Sequence, residues 1–266
     1  MKKYLTLFKT ALQLAFTLRG RALIWLAWDI LPPIIMLLFW QGAFVSKKEI
    51  AGYNINSMFT YYLLVMFIRT VIFTHPDETL QRSITTGRIS LSHLLKPINV
   101  LYYYVFYESA FKVIRLFFIL PIITLFILFY PDILGNITIM PLSFFFFILF
   151  ITFSFFLFFL IKIIIGLSSF WFNEIGWLQD LSDFLLPLFG GTLFPLEFLP
   201  KNIYNISLWL PFRFEAFIPV QIFLGKIQGL EYLIVFFIQL FWIFLFLILI
   251  KYLWHKGVKV YNAYGG

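Results

Sequence analysis

The chain has 266 residues, 62% of them hydrophobic and 12% charged, with a mean hydropathy of +0.95, whereas an average soluble domain is roughly 25% charged. Apolar runs long enough to cross a hydrocarbon core of about 30 Å as helices recur along it, so the sequence predicts an all-α polytopic membrane protein and excludes a β-barrel, whose segments alternate in polarity over about 10 residues. The net charge of +8 sits at the ends of apolar spans, which points to lipid headgroups and not to nucleic acid, and the absence of cysteine excludes disulfides and thiolate metal sites.

In chain order, residues 2–19 set Lys2, Thr6, Lys9, Gln13 and Thr17 along one helical face and Leu5, Phe8, Leu12 and Phe16 on the rest. That pattern predicts an interfacial helix over 1–21 with its cations outward; the other reading is the start of a longer first span. A cleaved signal peptide is not expected, because a long basic lead-in precedes the first strong apolar run and no small-residue cleavage site follows it. Six spans follow, at about 22–45, 55–75, 110–130, 141–163, 177–195 and 231–252. On one side of them fall Lys2, Lys3, Lys9, Arg19, Arg21, Arg82, Arg88, Lys96, Lys162, Lys251, Lys256 and Lys259. The other side holds only Lys47, Lys48, Lys201, Arg213 and Lys226. By the positive-inside rule both termini are cytoplasmic. No long polar segment interrupts the chain, so 1–266 reads as a single membrane domain.

The longest polar stretch, His75 to Ile98, lies between spans two and three on the cytoplasmic side. Pro76 followed by Asp77 and Glu78 marks a helix N-terminus, Thr86-Gly87 ends that helix, and Ser90 is placed to cap another. A short helix exposing Arg82 and Arg88 is an object that a cytoplasmic partner can push on; the plainer reading is a solvated loop. After span five the sequence reads GGTLFPLEFLPKNIYNISLWLPF, with Gly190, Gly191, Pro195, Pro200 and Pro211 each breaking a helix. Residues up to Leu224 remain too apolar for a solvated loop and too interrupted to cross. Over 190–226 they read as a re-entrant outer hairpin, with Gly190 to Leu196 descending and Pro211 near the tip or return; the alternative is an interfacial loop with no gating role.

Ionisable groups at membrane depth are costly and mark function by default. Asp180 and Asp183 share a face of span five, Glu108, Lys112 and Arg115 form a stripe leading into span three, and Arg69 ends span two. One reading pairs the span-five acids with these cations to fix packing. The sharper one makes Arg69, Asp180 and Asp183 part of an inward-facing vestibule that holds a polar headgroup or breaks its ion pairs during gating. His75, His93 and His255 lack metal-ligand spacing and read as headgroup-level residues, and no catalytic triad is evident. The phenylalanine-rich run within span four reads as a lipid-facing or packing surface rather than an aromatic binding wall.

The stretch from Gly190 and the following IPVQIFLG resemble ABC-2 type permeases, the six-span membrane subunits that work with a separate ATPase. The match rests on Gly191, Pro195, Leu196, Pro200, Leu210, Pro211, Phe212, Pro219 and Gly225. In the loop after span two, Ile84, Gly87, Ile89, Leu94, Leu95 and Pro97 also fall as in that family. The resemblance covers essentially the whole chain and implies a type V exporter-like fold with an N-terminal connecting helix. It implies that residues 76–97 are a coupling region seated on an ABC ATPase, contacted through Asp77, Glu78, Arg82, Thr86, Gly87 and Arg88. It also implies an extracellular gate formed by Gly190, Gly191, Pro195, Glu197, Pro200, Pro211 and Phe212, and a second permease chain, identical or not. The sequence holds no G-x-x-x-x-G-K-[ST] phosphate loop, so ATP and Mg2+ are expected on the partner and no cofactor or metal in this chain. The expected function is export of a hydrophobic or amphipathic substrate. Its rivals are a lipid-modifying enzyme using Asp77, Glu78, Asp180 and Asp183 around a metal, and a passive channel, which the lack of a polar stripe along any whole span argues against. Heavy use of Phe, Ile, Lys and Asn points to an AT-rich bacterial source and a plasma-membrane location.

Overall fold

The computed structural model describes residues 2–17, 19–89, 99–130 and 141–261, which form ten α-helices with no strand among them. Helix α1 (Lys2–Thr17) is followed by α2 (Arg19–Ala43), α3 (Ile55–Ile72), α4 (Pro76–Thr85), α5 (Val100–Phe129) and α6 (Pro141–Leu167). Then come α7 (Gly176–Gly190), α8 (Lys201–Ser207), α9 (Phe217–Phe223) and α10 (Glu231–Val260).

Among the described residues, five segments are long and apolar enough to cross a membrane: Leu26–Ala43, Ile55–Thr85, Val100–Phe129, Pro141–Phe170 and Glu231–Val260. The predicted fifth span, 177–195, is shorter than expected. Helix α7 has 15 residues, about 22 Å at 1.5 Å per residue. It stops at Gly190 because Gly191 turns left-handed (φ 80) and its N–H bonds back to the Pro187 carbonyl. Thr192 N–H reaches the same carbonyl at 3.2 Å, so the chain reverses there. Spans three and six begin earlier or end later than the hydropathy pattern indicates, since helical backbone continues past the apolar core into residues 100–109 and 253–260.

The main core lies where α3, α6 and the segment 211–223 meet, around Tyr61, Tyr62, Phe150, Phe214 and Val220. A second core at the other end joins α4 to α6 and α10 through Leu80, Ile84, Phe159, Ile163 and Ile250. Two glycines permit these approaches. A Cβ on Gly166 of α6 would meet the Asp77 backbone and the Leu80 side chain at 3.0 Å, and one on Gly257 would collide with the Phe170 ring. Helix α1 lies along α5, where the Tyr4 ring stacks on Phe106 at 5.6 Å and Ala15 packs with Ile114. By contrast α2 and α10 show long apolar faces outward, including Trp28, Leu38, Phe237 and Phe244, the pattern of helices bathed in lipid or covered by another chain.

Candidate functional site

Two polar constellations interrupt this apolar body, one below the middle of the bundle and one beside the 190–226 segment. The lower one centres on Lys162 of α6, buried to 3% side-chain exposure. Its ammonium donates to Asp183 Oδ1 at 2.5 Å and to Ser182 Oγ at 2.9 Å, both on α7, and lies 3.5 Å from Asp77 Oδ2 on α4. Three helices are therefore tied by one cation. Beside it, Arg115 of α5 pairs with Asp29 of α2 and donates to the Phe73 carbonyl at 3.1 Å after α3. Thr74 Oγ1 donates to Glu108 Oε2 at 2.7 Å, and the Lys112 ammonium lies 5.8 Å from the centre of the Phe155 ring. Each charge taken from water loses several kcal/mol of hydration, so these groups are tolerated because they meet one another.

This geometry corrects the sequence-based pairing. Asp183 is matched by Lys162 and not by Lys112 or Arg115, because Lys162 of α6 reaches both Ser182 and Asp183 while Arg115 is taken by Asp29. Asp180 is exposed, so the expected vestibule of Arg69, Asp180 and Asp183 does not close around one point. Arg69 is buried over the Phe73 ring at 5.1 Å. The four carboxylates of the enzyme reading do not converge either: Asp77 and Asp183 meet at Lys162, while Glu78 and Asp180 point outward.

Of the coupling residues, Glu78, Arg82, Thr86 and Arg88 are exposed and Gly87 sits at a left-handed φ of 74 that ends α4. Asp77 is enclosed against α6, so it belongs to the Lys162 cluster and not to the outward face of α4. The rest of the loop, with Ser90, His93, Leu94, Leu95, Lys96 and Pro97, lies outside the described residues.

The second constellation holds the 190–226 segment to α2 and α3. Tyr61 donates to the Gly191 carbonyl and Tyr62 to the Leu193 carbonyl at 2.6 Å, and Trp40 Nε1 donates to the Tyr62 hydroxyl at 2.9 Å. Gly190 accepts from Ala216 N–H at 3.0 Å, which folds the far side of the segment back onto the end of α7. The prolines start helices here. Pro195 precedes the turn Leu196–Phe198, Pro200 precedes α8, and Pro211 opens the turn Pro211–Phe214, a role that suits their fixed φ and missing N–H. The part running deepest is 211–222, nearly all buried, whereas α8 is largely exposed. Pro211 thus opens the buried arm. Ser154 Oγ of α6 anchors that arm by donating to the Phe214 carbonyl at 2.6 Å, and Gln239 of α10 donates to Ser154 at 3.0 Å.

At the rim, Gln221 Nε2 donates to Tyr53 Oη and to Glu197 Oε1, each at 2.7 Å, and Tyr53 donates to the same carboxylate oxygen at 3.2 Å. Lys226 Nζ lies 3.5 Å over the Tyr53 ring and 3.8 Å from Glu197. Burial pushes the Glu197 carboxyl above its ordinary value, against the pull of Lys226 and of these hydrogen bonds. Sequence reasoning singled out Glu197 but passed over Tyr53, Tyr61, Tyr62, Asp29 and Glu215. The last two carried a readable signal, since a lone carboxylate in an apolar run is itself anomalous.

A helical bundle with five membrane-length segments among the described residues, ion pairs between its helices and a folded, proline-punctuated cap is a multi-pass membrane protein. The chain belongs to the ABC-2 transporter family: the model of the ABC-2 family transporter protein matches residues 30–265. No curated protein and no solved structure matches it.

Proposed function

We propose that the chain is the permease subunit of an ATP-driven exporter. It works as one of two permease chains with ABC ATPases that carry the ATP and Mg2+, and moves a hydrophobic or amphipathic substrate from the cytoplasm or inner leaflet outward. In this reading α7 is the fifth of six crossings, completed by the 190–226 segment as a re-entrant outer cap. Helix α1 lies in the inner headgroup layer, and both termini face the cytoplasm of a bacterial cell.

The observation that carries the proposal is the tie between α4 and α7 through Lys162. A partner closing on the exposed face of α4, at Glu78, Arg82, Thr86, Gly87 and Arg88, pushes a helix that cannot slide on α6, because Gly166 seats the Asp77 backbone and Leu80 in direct contact. The push passes through Lys162 to Asp183 and Ser182, and along α7 to Gly190, whose carbonyl holds the cap. Packed elements of this kind shift as rigid bodies between discrete arrangements, and ATP moves the equilibrium only if its binding favours one of them.

Co-expression of the chain with its neighbouring genes, mild-detergent purification and an ATPase assay test this directly. Co-elution of a P-loop ATPase whose activity responds to the permease is expected. Gly87→Ala or Arg88→Glu is expected to lower the response, and Lys162→Met to keep hydrolysis while transport falls. A chain that elutes alone, or variants that leave both activities unchanged, would remove the coupling role of α4.

A further inference from the structure

Between the two constellations lies a cavity of about 20 Å3 lined by Ile72, Phe73, Thr74, Phe158, Leu186 and Pro187, with Lys162, Asp183 and Glu215 as its charged groups. Its volume is about that needed for one water molecule. Glu215 enters from the cap, just after the turn Pro211–Phe214, and is 4% exposed. Its carboxylate rests on Gly190, where any Cβ would strike it. It makes no ion pair and no side-chain hydrogen bond among the described residues, and its Oε2 is fully enclosed without a partner. The neighbouring carboxylate Asp183 is matched by Lys162, but no cation matches Glu215 at ion-pair distance. An isolated carboxylate so enclosed takes up a proton in preference to remaining charged.

We propose that Glu215 is a proton-binding site built into the outer cap. With the cap seated, its carboxyl is neutral and donates through one water molecule to the Lys162–Asp183 pair. When α7 moves and the cap lifts, water enters, the O–H bond breaks, the proton leaves to that water, and the carboxylate left behind is solvated or attracted to Lys162. Seating the cap reverses the step, so each cycle returns the proton it released.

The groups facing Glu215 agree. Arg69 from α3 and Lys162 from α6 favour its charged form, and Asp183 from α7 opposes it. Burial acts in the same direction as Asp183, and neither cation lies at ion-pair distance to offset them. From α10 and α9 come only the uncharged Gln239 and Gln221, which are engaged with Ser154 and with Tyr53 and Glu197. The folded chain therefore holds this proton more tightly than the unfolded chain, in which the carboxyl is solvated.

The test needs neither an ATPase nor a substrate. Infrared spectra of the purified full chain in lipid nanodiscs are recorded from about pH 5 to about pH 9, a window that brackets neutrality, for the wild type and Glu215→Gln. A protonated-carboxyl band is expected at the acid end that fades as the pH rises, and Glu215→Gln should lack the share of it that Glu215 contributes. In Asp183→Asn the same band should titrate lower by about one unit, because a neighbouring negative charge is gone. Identical spectra for wild type and Glu215→Gln across the range would overturn the proposal. If Glu215→Gln does not fold, an Asp183→Asn midpoint equal to the wild type would do so. Failure here leaves the exporter reading standing, and an exporter without a coupled ATPase would leave this band unchanged.

Discussion

The charges around Lys162 and the hydroxyls around the cap perform the same task, holding helices together where apolar packing alone would allow sliding, but with opposite economy. At the lower site full charges meet around buried cations: Lys162 with the enclosed Asp77 and the half-exposed Asp183, and Arg115 with the buried Asp29. At the cap neutral donors meet backbone carbonyls: Tyr61 to Gly191, Tyr62 to Leu193, Ser154 to Phe214. Breaking a buried ion pair leaves an uncompensated charge, whereas losing one neutral hydrogen bond costs about 1 kcal/mol. The lower site is therefore suited to transmit a push without opening, and the cap to open and reclose.

The largest effect expected from this contrast is at Asp29 and Arg115. Arg115→Leu leaves the fully buried Asp29 without its cation and should cost about 3–5 kcal/mol, read as a collapse of the thermal unfolding midpoint in detergent. The double variant Asp29→Leu/Arg115→Leu should recover most of that loss. Recovery would show that the pair contributes specificity rather than net stability, and its failure would mean that the Arg115 bond to the Phe73 carbonyl matters more than the ion pair.

Next in size are the glycines that end α7. Gly191→Ala places a Cβ against Phe217 and the Tyr61 hydroxyl, 2.8 Å from each, at a left-handed φ. Overpacking and backbone strain together should cost about 2–4 kcal/mol. Hydrogen exchange across residues 190–200 should accelerate while α4 keeps its protection. Uniform acceleration would mean that the cap and the bundle open as one unit.

Membrane class, most span positions, the helix at Pro76 and the break after Gly190 were legible because hydropathy, proline and glycine act locally. The short α7 was not, because Leu193 and Phe194 beyond the glycine pair are as apolar as any spanning residue and carried the span on to 195, past the helix end at Gly190. Pairing was illegible for a different reason. Asp183 had several cations within plausible reach, and the choice of Lys162 depends on which cation the fold brings to α7, a tertiary fact. The tyrosines were hidden by chemistry: Tyr61 and Tyr62 read as apolar bulk, and their hydroxyls acquire meaning only where a carbonyl is freed by the helix end opposite.

Tyr62→Phe tests the neutral side of the comparison. It removes the donor to Leu193 and the acceptor of Trp40 Nε1 while keeping the ring. A loss of about 1–2 kcal/mol is expected, since one buried carbonyl and one indole N–H are left without that partner. Exchange should quicken at residues 192–196 and stay unchanged around Lys162.

The smallest effect separates the rim from both buried sites. Lys226 is 38% exposed and its distance to Glu197 is 3.8 Å, so the ion pair itself should contribute under about 1 kcal/mol, and less in high salt. Its position over the Tyr53 ring contributes independently of the carboxylate. Glu197→Gln should therefore change stability by only a few tenths of a kcal/mol, since the amide still accepts from Gln221 and Tyr53. Lys226→Met should cost somewhat more, with a salt-insensitive remainder from the lost cation–ring contact. If Glu197→Gln proves as costly as Arg115→Leu, the rim carboxylate is as shielded as the pairs inside the bundle, and the cap would be locked by charge in the same way as the lower site.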